Sequence, residues 1–96
     1  MGIVLSVSFK VKEGQAAAFE QHVTGLSKQV LANEPGAKMY QLCRTSEANT
    51  YRLIELYDSA EALAAHGQSD HYKAAAPGFA PLLDGRPAIE RFETVD

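Results

Sequence analysis

Apolar residues occupy every second position from Ile3 to Val11 (Ile3, Leu5, Val7, Phe9, Val11), with Ser6, Ser8 and Lys10 between them. A period of two puts all five on one side of an extended chain, so the pattern predicts a half-buried strand. After a turn at Glu13-Gly14 the period changes. Phe19, Val23, Leu26 and Val30 recur at steps of four, three and four, which predicts one apolar stripe on a helix. The residue before a proline is pushed out of the helical region, so Pro35 with Gly36 ends this helix near Asn33.

Two further strands are predicted over Lys38–Arg44 and Tyr51–Asp58, joined by a hairpin loop at Thr45–Asn49. In the second of them Leu53, Glu55 and Tyr57 alternate with Ile54 and Leu56. Asp58, with Glu61 three residues on, offers an N-cap for a second helix through Ala62, Leu63 and His66, which Gly67 is expected to break. Ser69 or Asp70 then caps a short helix through Tyr72 and Lys73 up to Pro77-Gly78. Phe79–Leu83 leads to a turn at Asp84-Gly85-Arg86-Pro87, and Ala88–Val95 is the closing strand. The order strand, helix, strand, strand, helix, strand predicts an α+β fold of the ferredoxin-like, split βαβ type, with helices on one face of an antiparallel sheet. Val4, Ile54 and Leu56 make the other face apolar as well, and such a face calls for a partner.

The chain has 96 residues, a length that supplies one core and hence one domain over residues 1–96. Hydrophobic residues make up 46% and charged residues 22%, the balance of a folded soluble protein. Its net charge of −3 is scattered along the chain, which argues against a nucleic-acid or anionic-membrane partner. Neither a secretion signal nor a membrane span is visible, and a lone Cys43 permits no intramolecular disulfide, so a cytoplasmic protein is expected.

Candidate chemistry is densest at His66-Gly67-Gln68-Ser69-Asp70-His71-Tyr72-Lys73. Metal binding is not expected there. Histidine pairs that share a helical face are spaced by three or four, whereas these are five apart across a glycine, and no third ligand follows nearby. Cys43 lies in mid-strand without an activating signature and reads as an ordinary small core or sheet residue. No glycine-rich phosphate loop occurs. A free histidine titrates near pH 6.5, which suits a general base, although a histidine at a helix end can equally do no more than bind a free carbonyl. His22 borders the apolar stripe of the first helix, where it is a boundary residue or faces a cleft. Glu55 points with Leu53 and Tyr57 towards the helices, so it either pairs with Arg44 or Arg91 or lines a polar pocket.

The runs Glu34-Pro35-Gly36-Ala37-Lys38-Met39-Tyr40, Tyr57-Asp58-Ser59, Ala62-Leu63-Ala64-Ala65-His66, Ser69-Asp70-His71-Tyr72, Leu83-Asp84-Gly85 and Ile89-Glu90-Arg91-Phe92 span almost the whole chain. Together they resemble the antibiotic biosynthesis monooxygenase family, and most nearly its quinol monooxygenase-like members. The resemblance implies a homodimeric α+β barrel in which two ferredoxin-like protomers pack sheet against sheet. It further implies oxidation of a small quinol or polycyclic aromatic by molecular oxygen, with no cofactor and no metal. On this resemblance His66, His71 and Tyr72 are expected to be catalytic and Glu55 and Tyr57 to contact substrate, and His22 and Phe79 are expected to contact it as well. The haem-degrading branch is disfavoured, because Val7, His66 and Ala76 stand where it needs asparagine, tryptophan and histidine. Two other activities remain open: an isomerase or other proton-transfer enzyme acting on a small carbonyl compound, and a non-catalytic, stress-related ligand-binding barrel.

Overall fold

A computed structural model describes residues 1–96. Strand β1 (Ile3–Lys10) leads into helix α1 (Ala16–Asn33), strands β2 (Ala37–Arg44) and β3 (Thr50–Tyr57), helix α2 (Ala60–Gln68) and helix α3 (Asp70–Ala75). Two 3₁₀ turns at Ala76–Gly78 and Ala80–Leu82 follow, and β4 (Ala88–Glu93) closes the chain. The sheet runs β2-β3-β1-β4 with every pairing antiparallel. This is the ferredoxin-like α+β fold that the order of elements predicts.

The register sorts residues into rows across the sheet. Tyr40, Glu55, Leu5 and Arg91 lie in one row on the helix-facing side, and Leu42, Leu53, Val7 and Ile89 lie in the next. The stripe Phe19, Val23, Leu26 and Val30 of α1 is fully or almost fully buried against this side, on Phe9, Tyr51, Leu53 and Tyr57. Phe19 is the centre of the contact, with its ring 4.9 Å from that of Tyr51 and 5.2 Å from that of Phe9. On the opposite side Met39, Leu56, Val4 and Phe92 form an apolar row that crosses all four strands and carries no helix. Met39 and Phe92 are exposed there.

Three local expectations need correction and one is narrowed. First, Gly67 does not break α2, which runs on to Gln68. A glycine in a helix costs only about 1 kcal/mol relative to alanine, and the helix ends where Ser69 turns extended (φ −69°, ψ 148°). Second, the N-cap of α2 is Ser59, whose hydroxyl accepts from the Ala62 N–H at 3.1 Å. Asp58 instead faces Lys38 at 4.0 Å. Third, of the two places open to Cys43 the structure takes the sheet and not the core: it lies in β2, exposed on the open side opposite Arg52. Fourth, β4 stops at Glu93, short of Val95, and Val11 lies beyond the end of β1 in a bridge to Leu83.

Ser69 joins the last two helices. Its hydroxyl donates to the His66 carbonyl at 2.7 Å and accepts from the Tyr72 N–H at 3.3 Å, so a single side chain ends α2 and caps α3.

Candidate functional site

Pro35 places the key carboxylate. As the residue before proline, Glu34 has an extended backbone (φ −116°, ψ 97°) while its N–H still bonds to the Val30 carbonyl. Its side chain leaves the axis of α1 and reaches both site histidines. His66, in the last turn of α2, presents Nδ1 to the two Glu34 oxygens at 2.9 and 3.1 Å. His71, in α3, presents Nε2 to Glu34 Oε2. All three side chains are largely shielded from water, with exposures of 10% for Glu34, 6% for His66 and 16% for His71. The expectation that a spacing of five gives the imidazoles no common geometry is therefore overturned. The third group, Glu34, arrives from a different helix, and its position in the chain gives no hint of the meeting.

A carboxylate oxygen only accepts hydrogen bonds, so in the neutral rings it selects the tautomers: Nδ1–H on His66 and Nε2–H on His71. The lone pair of His66 is then at Nε2. No buried side-chain nitrogen or oxygen in the protein lacks a hydrogen-bond partner. His66 Nε2 has none and so is not sealed from solvent, although the residue as a whole is only 5% exposed. The same holds for the hydroxyl of Tyr40, the hydroxyl of Tyr72 and Oε2 of Glu55. The rings of Tyr72, Tyr57 and Tyr40 lie 4.8, 5.4 and 5.5 Å from that of His66. Four unpartnered polar atoms therefore belong to one aromatic cluster beneath α2 and α3.

Glu55 pairs with neither arginine. It accepts the Tyr57 hydroxyl at 2.5 Å from two positions along the same side of β3. Arg44 stands opposite Tyr51 and is engaged by Glu20 at 2.8 and 3.0 Å, and Arg91 is exposed, one strand beyond Leu5. Burial pushes the Glu55 carboxyl above the ordinary carboxylate value, against the opposing pull of the Tyr57 hydroxyl and the charge of His66. Burial, followed by the charge of Glu55, raises the Tyr40 and Tyr57 phenols, so both keep their protons at neutral pH.

A test of stability follows from Glu55. Its proton is held more tightly in the folded than in the unfolded state. Wild-type stability is therefore intact below the ordinary glutamate value and falls as pH rises through the raised one. Glu55→Gln keeps an acceptor for Tyr57 without the charge. It should melt above wild type at about pH 8, by roughly 4–8 °C per kcal/mol relieved, with the gap closing towards pH 4. A lower melting temperature for the variant at high pH would mean that the buried carboxylate is adequately solvated.

His22 and Phe79 do not join this cluster. His22 Nε2 is 2.9 Å from the Ala75 carbonyl near the end of α3, and its ring meets Phe79 edge-on at 4.7 Å. The carbonyl-binding alternative expected for His66 and His71 is thus found instead at His22, while His66 and His71 bind Glu34. Phe79 lines a cavity of about 530 Å³ with Val7, Phe9, Leu83, Arg86 and Ile89, among others. Through Val7 and Ile89 this cavity is one row along the sheet from Glu55 and Leu5. Glu34 and Tyr40 are the site residues that the sequence reading missed. Tyr40 had a signal in the β2 alternation, but Glu34 had only its place before Pro35.

Fold and site together define a ferredoxin-like α+β protein with a carboxylate-bridged histidine pair on the helices that cover its sheet. The sequence model of the antibiotic biosynthesis monooxygenase family matches residues 2–78, and the chain belongs to that family. A Caulobacter crescentus CB15 protein solved under the same family name is 40% identical, with a TM-score of 0.95 over 99% of this chain and 91% of its own. Rv0793 from Mycobacterium tuberculosis superimposes with a TM-score of 0.90 over 100% of this chain and 97% of its own, at 21% identity. A conserved protein of Methanosarcina mazei Go1 gives 0.92 over 99% and 94%, also at 21% identity. At that identity the last two speak for the fold. No curated protein matches the chain. No helix is long and apolar enough to cross a membrane.

Proposed function

We propose that the protein is a cofactor-independent monooxygenase that acts, as a homodimer, on a small quinol or polycyclic phenol with molecular oxygen. The observation that carries this reading is His66: a buried imidazole gripped at Nδ1 by Glu34, with Nε2 free among tyrosines. Family membership supports it too.

A phenol or enolised anthrone that loses its proton becomes an electron-rich anion able to pass one electron to dioxygen. Recombination of the two radicals and loss of water leave one oxygen atom in a new carbonyl and the other in H₂O. The protein needs a base, donors for the anion and a pocket that excludes bulk water. His66 Nε2 is the base. Glu34 fixes its tautomer and stabilises the imidazolium that forms, and His71 holds Glu34 in place. The Tyr72 and Tyr40 hydroxyls donate to the anion, with Glu55 and Tyr57 beside them. The 530 Å³ cavity, one row along the sheet from Glu55, is of a size that suits a substrate of two or three rings with Phe79 on its apolar wall, and the reading requires that substrate to extend from the cavity past Glu55 to His66 Nε2.

An oxygen electrode tests the proposal. Purified protein without added metal or flavin should consume oxygen with hydroquinones or anthrones, one O₂ for each molecule of quinone formed. Anaerobic isomerisation of a carbonyl substrate with no oxygen uptake from any of these compounds would overturn it in favour of a proton-transfer enzyme.

A further inference from the structure

We propose that Glu34, His66 and His71 also form a binding site for a divalent ion of the zinc class, and that filling it silences the base. The second half rests on the role given to His66 above; the first does not.

The donor set is two imidazole nitrogens and one carboxylate oxygen, all within 4.8 Å of one another. Zinc bonds of about 2.0–2.2 Å in tetrahedral geometry put ligand atoms about 3.4 Å apart. Glu34 Oε2 is now 2.9 Å from His66 Nδ1 and closer still to His71 Nε2, so the carboxylate must draw back to admit the ion, while the two nitrogens need close only from within 4.8 Å. Its side chains are already shielded from water and held by three different helix ends, so little desolvation or rotamer entropy is left to lose. Two imidazoles and one carboxylate leave a fourth position open, the pattern of zinc sites that keep a water. A second cavity, of about 310 Å³, is lined by Glu34, His71, Ser69, Gly36, Ala62 and Ala65 among others and reaches the cluster. It shares no residue with the 530 Å³ cavity, so an ion has its own access and does not compete with substrate for space.

The effect on the base follows from the tautomer. A metal takes the lone pair of His66 Nδ1, where a proton now points at Glu34. The neutral ring then carries its one proton on Nε2, and His71 likewise moves its proton from Nε2 to Nδ1. His66 Nε2 changes from acceptor to donor and can no longer take a proton from a phenol.

Chelator-treated protein titrated with Co²⁺ should develop the visible d–d bands of a four-coordinate ion, saturating at one equivalent per chain, and Zn²⁺ should abolish them. Glu34→Gln and His71→Ala, checked for folding by circular dichroism, should each weaken binding by at least about tenfold, whereas His22→Gln should not. Long-range ¹H–¹⁵N spectra should show the His66 proton moving from Nδ1 to Nε2 as zinc is added. Absence of saturable uptake, or equal uptake by the Glu34 and His71 variants, would reduce the site to an adventitious ion only. Binding with the Nδ1 proton unmoved would overturn the silencing. Both readouts are independent of turnover, so a protein that oxidises no quinol would count against the oxygenase and not against the metal site.

Discussion

Replacing His66 by alanine should lower quinol turnover by about 10²–10⁴, the range by which a positioned general base accelerates proton removal. That corresponds to roughly 3–5.5 kcal/mol of barrier. The substitution also strips packing from the rings of Tyr40, Tyr57 and Tyr72, and so lowers stability. Stability changes the fraction of molecules folded, whereas the base sets the rate of each folded one, and His66→Gln separates the two. Glutamine fills most of the space and can still reach Glu34, but it cannot accept a proton. Oxygen uptake per folded molecule should fall equally in both variants, with KM little changed. Turnover within twofold of wild type in His66→Gln would remove His66 from the chemistry and shift the base to His71 or Glu55.

The next largest effect should follow from a charge in the apolar row on the open side of the sheet. Wild-type protein should scatter light as a dimer at micromolar concentration, because Met39, Leu56, Val4 and Phe92 form a continuous row with no covering helix. An obligate interface of this kind buries on the order of 2,000 Å² or more in total. Leu56 is in the middle of the row, and Leu56→Asp would put an unpaired carboxylate at the centre of the contact, where a buried charge costs several kcal/mol. The variant should run as a monomer with a reduced melting temperature, since association stabilises the folded state by mass action. Wild-type protein that stays monomeric and folded on concentration would sink the sheet-to-sheet dimer.

Most of the architecture was legible because period two and period 3.6 leave different traces. The β1 alternation and the α1 stripe each map directly onto a buried surface, and Pro35 marks the end of α1 through a local steric rule. Gly67 misled because a propensity of about 1 kcal/mol yields to neighbouring hydrogen bonds. Asp58 and Ser59 are both good caps in sequence, and only the extended backbone at Ser59 decides between them. The exposure of β4 could not be read either: Ile89 is 65% exposed although its row is on the helix side, because no helix reaches that edge. In the site, the residues of the His66–Tyr72 run could be found from their density. Glu34 could not, since its role arises from a contact 32 residues away that no spacing rule encodes.

The bridging hydroxyl of Ser69 ties the end of α2 to the start of α3, the two helices that carry His66 and His71. The cavity wall from Phe79 to Ile89 is built by other segments that share none of these bonds. That wall still touches α3 indirectly, because Phe79 meets the His22 ring edge-on and His22 Nε2 is 2.9 Å from the Ala75 carbonyl. The joint between two short helices rests on one small hydroxyl, and Ser69→Ala would free both helix ends at once.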